Sequence, residues 1–127
     1  MQIDEKMMRE LGSAGINMEE VLERFMGKQD MVIKFLKKFP ADPNYELLEK
    51  ALENKDEKQA LSASHVLKGV SGNLSMNVMH RLFSEQIEYI RGDNWEDVLN
   101  VMEEIRKEYE KVVEAKSPPS CFAIKNS

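Results

Sequence analysis

Only two of the chain's 127 residues are histidines, and one of them, His65, lies among residue types suited to handling a phosphoryl group. The run reads Ala60-Leu61-Ser62-Ala63-Ser64-His65-Val66-Leu67-Lys68-Gly69-Val70-Ser71-Gly72-Asn73-Leu74. An imidazole offers, near neutral pH, an uncharged and nucleophilic ring nitrogen that can attack an acyl phosphate. Phosphoryl transfer then needs a cation beside the oxygens that carry the negative charge. Lys68, one helical turn beyond His65, is spaced to supply it. Gly69 and Gly72 stand where a helix interior is expected, each costing on the order of 1 kcal/mol relative to alanine. A partner that must approach closely explains both glycines. Tight packing of a neighbouring helix, or an early helix end, is the alternative.

The segment that must position these residues reads as a helix. At about 100° per residue, Ala60, Ala63, Leu67, Val70 and Leu74 share an inward stripe, and His65, Lys68, Gly69 and Gly72 gather on the opposite side. A lone histidine is ordinarily a satisfied core or surface residue. Its position opposite the apolar stripe, beside a lysine and two glycines, favours chemistry here.

The remaining elements also follow a helical period, and strand signals are absent. Ile3, Met7 and Leu11 are in step, enough for a short helix before the break from Gly12 to Gly15. Asn17 and Glu20 offer an N-cap with a reciprocal acceptor for a short helix that buries Met18, Val21, Leu22 and Phe25 and stops at Gly27. Asp30 is expected to open the next helix, with Val32, Phe35, Leu36 and Phe39 inward and Lys34, Lys37 and Lys38 toward solvent. Pro40 interrupts it, and Asp42-Pro43 suits a cap and first turn for Leu47, Leu48, Ala51 and Leu52, so the span 30 to 53 can form one kinked rod. Asp56 and Gln59 form a capping-box pattern for the helix that runs to Leu74. A further helix places Met79, Leu82, Phe83, Ile87 and Ile90 inward and ends near Gly92. The last starts at Trp95, with Val98, Leu99, Met102, Ile105, Tyr109 and Val112 in register and Glu103 and Lys107 as a surface pair. The predicted fold is all-α: an antiparallel four-helix bundle with one or two short N-terminal helices, spanning 1–116 and followed by a flexible tail over 117–127.

Composition narrows the function. Acidic residues outnumber basic ones 23 to 18, a formal charge of −5, and the bases are spread along the chain, which argues against a nucleic-acid partner. No apolar run approaches the roughly 20 residues that cross a bilayer, and the first ten residues are too charged for a secretory signal core. The single cysteine, Cys121, has no partner in the chain, so a reducing, cytoplasmic setting is expected. Neither a Walker-type nor a kinase-type Gly-rich loop occurs, so phosphate must come from elsewhere. His65 and His80 are fifteen residues apart without metal-site spacing, and no metal is expected. His80 reads as a helix-surface residue. The nine methionines read as core filling.

The run from Ala63 to Leu74 resembles histidine-containing phosphotransfer (HPt) domains. Their usual signature is a histidine, an apolar residue two on, lysine and glycine, small residues, then an apolar residue followed by glycine. The likeness extends to Asp56 before this helix, to Met26-Gly27 with Asp30 beyond, and to Glu85-Gln86-Ile87-Glu88, covering roughly residues 17 to 113. The sequence departs from it at Ser75, where the family commonly has glycine, and this leaves the turn into the next helix open. The resemblance implies that His65 is the phosphoacceptor and Lys68 stabilises the phosphoryl group, with Leu61, Gly69 and Gly72 facing the partner. It implies a monomeric phosphocarrier that exchanges phosphate with response-regulator receiver domains or a hybrid histidine kinase. No cofactor and no kinase or ATPase site of its own is implied. The alternative is a helical adaptor that binds such partners without being phosphorylated.

Overall fold

The computed structural model describes residues 3–115, and these are all-helical with no strand. The expected tail, with Cys121, lies outside the described residues. The helices are α1 (Glu5–Ser13), α2 (Met18–Arg24), α3 (Gln29–Lys38), α4 (Pro43–Glu53), α5 (Glu57–Asn73), α6 (Asn77–Arg91) and α7 (Trp95–Ala115), with a short 3-10 turn at Phe39–Ala41.

Local chemistry accounts for most helix starts. Asp4, Asn17, Asp42 and Asp56 each accept a hydrogen bond from a backbone N–H of the first turn, which satisfies a donor the helix itself cannot. The reciprocal halves of the two expected capping boxes do not form. The Asn17 N–H donates instead to Ser75 O at 2.9 Å, and the Asp56 N–H to Ala51 O at 2.8 Å. Asp30 is not the cap of α3: Lys28 occupies that position, with no side-chain bond, and Asp30 sits in the first turn, where its charge suits the helix dipole.

The ends of α2, α4, α5 and α6 follow one pattern. At Met26, Lys55, Ser75 and Asp93 the backbone turns left-handed, with φ of 54° to 56°, and the next N–H reaches back five residues to close the helix. This is the Schellman arrangement that glycine usually serves. Gly92, expected to end α6, keeps an ordinary φ of −84°, and Asp93 takes the left-handed position. The span 30 to 53 is not one kinked rod, because Asp42 is extended (ψ 122°) and separates the 3-10 turn from α4.

Packing follows chain order: α4 lies on α5, α5 on α6, and α6 on α7. Side chains join α7 back to α4. Tyr109 stacks on Tyr45 with centroids 3.7 Å apart, and Arg106 grips Glu49 through two bonds of 2.8 and 3.0 Å. Burial pushes both phenols above their usual pKa range. Along α7, Val101 is buried where Leu99 was expected, and Leu99 is exposed. Glu103 pairs with Arg106 rather than Lys107. The N-terminal segment is firmly attached: Met7 and Leu11 of α1 are buried in the core, α1 packs on α7, and Ile16 bridges to Met76.

Candidate functional site

The rotation of α5 is set by polar residues that an apolar pattern does not count. Ser64 and Ser71 are fully buried among the alanines and leucines of the inward face. The Ser71 hydroxyl donates to Leu67 O at 2.8 Å, within the helix. Ser64 donates to Gln86 Oε1 at 3.2 Å, and the amide nitrogen of this buried glutamine is directed at Val98 O and Met102 Sδ on α7, 3.5 Å from each. One amide thus ties α5, α6 and α7 together beside the histidine. With Ala63 and Ser64 both turned inward, the next residue lies about 100° beyond the second and 200° beyond the first, and so faces outward.

His65 is exposed accordingly, and its Nε2 lies 3.1 Å from Arg91 Nη2. A guanidinium can only donate, so Nε2 is the acceptor and a neutral ring carries its proton on Nδ1. Glu88, one turn before Arg91 on α6, receives the other side of the guanidinium at 3.3 Å. The reactive lone pair is therefore oriented and lies next to a fixed positive charge. Sequence reading did not find Arg91, because 26 residues separate it from His65. The α5–α6 hairpin brings the two together. Gln86 beside Ser64 sets the antiparallel register, Arg91 lies five residues on, about 7.5 Å along the axis, and side chains on a helix lean toward its N-terminus.

Lys68 follows one turn after His65 on the same side of α5 and is half-buried. Among the described residues no hydrogen bond joins its ammonium to the imidazole. Its backbone carbonyl accepts from Ser71 Oγ at 3.1 Å and from the His80 ring at 2.9 Å, which puts the His80 proton on Nδ1. His80 is therefore not the free surface residue expected: it is half-buried and bound to α5.

The two glycines separate. A Cβ on Gly69 would meet nothing within 4 Å, so the helix face beside His65 is open. A Cβ on Gly72 would sit 2.8 Å from His80 Nδ1 and 3.0 Å from its Cε1. Gly72 is thus a seat for His80 inside the α5–α6 contact, and Gly69 is the glycine that leaves the surface beside His65 open. Leu61 is half-buried against the core, and Val66, next to His65, is exposed.

Ser75 sits in the left-handed position at φ 55°, which explains why glycine would be at ease there. The serine is compensated. Arg24 of α2 donates to Ser75 Oγ and, at 3.1 Å, to Asn73 O, one of the carbonyls left open at the end of α5. Glu20 joins this group, and hydrogen bonding to Ser75, with Arg24 beside it, holds its carboxyl below the usual range.

Among the described residues no helix is long and apolar enough to cross a membrane, and no cluster of three or more metal-ligating side chains occurs. No family model, no curated protein and no solved structure matches the chain.

Proposed function

We propose that the chain is a phosphocarrier of the histidine-containing phosphotransfer type, built as a four-helix bundle of α4 to α7 with α1 to α3 packed on it. The observation that carries this reading is the exposed His65, its Nε2 oriented by Arg91 and its helix face opened by Gly69. Nε2 attacks the phosphorus of an aspartyl phosphate in a receiver domain. The N–P bond forms, the P–O bond to the carboxylate breaks, and the aspartate leaves as carboxylate. Reversal passes the group to a second receiver or to a hybrid kinase.

Each neighbour has a role in this scheme. Arg91 donates to Nε2 before transfer and to phosphoryl oxygens after it, and Lys68 adds a second cation from the adjacent turn. Gly69 admits the partner's backbone to within reach of the ring, since transfer needs the reacting atoms about 3 to 3.5 Å apart. In this reading the chain works as an intermediate rather than an enzyme, in the cytoplasm and as a monomer, since its sequence carries neither a Walker-type nor a kinase-type Gly-rich loop.

The test is transfer of labelled phosphate from phosphorylated receiver domains to the protein and to its His65→Gln variant. Acid-labile, base-stable label is expected on the parent alone, with the variant's melting temperature unchanged. A variant that labels like the parent removes His65 from the chemistry. Receiver binding without labelling of the parent supports the adaptor alternative.

A further inference from the structure

His80 carries a ring nitrogen that no group among the described residues meets. Its Nδ1 donates to Lys68 O at 2.9 Å, so in the neutral ring Nε2 holds the lone pair and can only accept. Ser84, one turn further along α6, donates its hydroxyl to the His80 backbone carbonyl at 3.0 Å and not to the ring. Among the described residues, every buried side-chain nitrogen or oxygen has a hydrogen-bond partner. Nε2 has none, so it is not buried: the half-buried ring turns its lone pair to solvent.

The ring stands on the face of α5 that carries His65. Gly72 is seven residues beyond His65, about 20° short of two full turns, so the two positions point the same way. A Cβ on Gly72 would point at His80 Nδ1 and Cε1, 2.8 and 3.0 Å away, so the imidazole covers α5 on the His65 side. It lies about 10 Å from His65 along the helix axis, with the open Gly69 between them. A standard interface covers about 800 Å² per partner, a disc of roughly 16 Å radius, so a protein seated on His65 reaches the His80 ring.

Internal satisfaction does not account for this arrangement. Lys68 O already accepts from Ser71 Oγ at 3.1 Å, and alanine at position 72 would favour the helix. An alanine there with an apolar residue at position 80 would close the same contact. What the glycine and the imidazole secure together is a fixed direction for Nε2.

We propose that His80 Nε2 is a second anchor of the docking face, accepting a hydrogen bond from an N–H or O–H donor that the receiver domain presents about 10 Å from its phospho-aspartate. The proposal rests on the phosphocarrier reading and deepens it. Transfer at His65 is open to any receiver that can reach the ring, whereas a lone pair fixed at this distance selects receivers with a donor in register. A receiver that brings a carboxylate or carbonyl oxygen there leaves two acceptors face to face and is disfavoured.

Two variants of the full chain separate the two ring nitrogens. Asparagine carries its amide nitrogen where histidine has Nδ1, so His80→Asn keeps a donor for Lys68 O and removes the outer acceptor. Glutamine reaches to where histidine has Nε2, so His80→Gln keeps an outer acceptor and gives up the inner bond. Titration calorimetry uses the receiver domain that exchanges phosphate with His65 fastest. Affinity should fall about threefold to tenfold in His80→Asn and by less than about twofold in His80→Gln, while urea denaturation ranks the two variants the other way. Labelling of His65 by phosphoramidate, a small donor that needs no docking, should be equal in the parent and both variants. Affinity that follows stability, or that neither variant changes, overturns the anchor. In the parent, the ¹⁵N resonance of His80 Nε2 should shift when the receiver binds; a resonance that does not move also overturns the anchor, and this measurement decides if a variant fails to fold. A parent chain that takes no label from phosphoramidate or from phosphorylated receivers overturns the phosphocarrier reading itself, and the anchor with it.

Discussion

Gly69 and Gly72 lie one turn apart on the same helix, yet the structure gives them opposite responses to one added methyl group. At Gly69 the new Cβ meets nothing, so Gly69→Ala should gain most of the helix preference of alanine over glycine, about 0.8 to 1 kcal/mol. At Gly72 the same gain is opposed. A Cβ 2.8 Å from His80 Nδ1 forces the ring to move, and the bond from that nitrogen to Lys68 O, now 2.9 Å, is lost or bent. The hydrogen bond is worth about 0.5 to 1.5 kcal/mol and an off-rotamer histidine costs a further 0.5 to 1.5. The sum, about 1 to 3 kcal/mol, exceeds the helix gain in most of its range, so Gly72→Ala should be destabilising by about 1 kcal/mol. Urea denaturation of four chains tests the reasoning: parent, Gly72→Ala, His80→Ala and the double variant. With the ring removed, Gly72→Ala should become stabilising like Gly69→Ala, a coupling of about 1 to 3 kcal/mol. Coupling within about 0.5 kcal/mol of zero, the scatter of independent sites, would refute the seat and return Gly72 to the docking face.

Other expectations follow from single contacts. Arg91→Ala should slow phosphoryl transfer about tenfold, from loss of a charge-assisted bond at an exposed site, with stability within about 0.5 kcal/mol of the parent; rapid-quench kinetics giving the parent rate would remove Arg91 from the mechanism. Ser75→Gly should be nearly neutral in urea denaturation, because relief of the left-handed backbone offsets the lost Arg24 bond, whereas Ser75→Ala keeps the strain, loses the bond, and should cost about 1 to 2 kcal/mol. For Glu20 the folded-state pKa lies below 4.5, so its contribution is full above that value and disappears as pH falls through the lowered one. The melting-temperature gap between the parent and Glu20→Gln should therefore be present at neutral pH and close in acid; a gap independent of pH would contradict the Ser75 and Arg24 contacts.

What could be read from the chain was local, and what was missed needed a second helix. Asn17 and Asp56 announce their helices because a cap bonds only three residues ahead. The reciprocal halves failed for two reasons: the Asn17 N–H is drawn to Ser75 O once α2 lies against the α5–α6 turn, with Glu20 engaged by Ser75 and by Arg24 one turn on, and the Asp56 N–H closes the preceding helix on Ala51 O. The exposure of His65 was legible, since it needed only the angle from Ala60, Ala63 and Leu67. The inward Ser64, Ser71 and Gln86 were not, because a polar side chain enters a core by finding a partner, and spacing does not reveal partners. Gly72 and Gly69 look alike in sequence for the same reason: only His80, twelve residues from the carbonyl it binds, distinguishes them.

The place of Arg91 beside His65 bears on how, in the proposed scheme, an exposed histidine both accepts and releases a phosphoryl group. Catalysis requires an interaction that strengthens as the transition state forms. The resting Arg91–His65 bond is exposed and made to a neutral nitrogen, so freeing Nε2 for attack costs on the order of 1 kcal/mol or less, a factor of about five in rate at most. In the proposed scheme, once phosphorus occupies Nε2 the same guanidinium meets anionic oxygens instead of a neutral lone pair, so an ion pair replaces a bond from a cation to a neutral acceptor. Arg91 therefore gains as charge arrives, while Glu88 competes for it at 3.3 Å and keeps that gain moderate. A cation gripping the phosphoryl group without a competitor would stabilise the loaded carrier against onward transfer. On this argument Glu88→Gln should lengthen the lifetime of phosphorylated His65 and slow its discharge to a receiver while leaving loading unimpaired. Discharge at the parent rate would show that Glu88 only holds Arg91 in place.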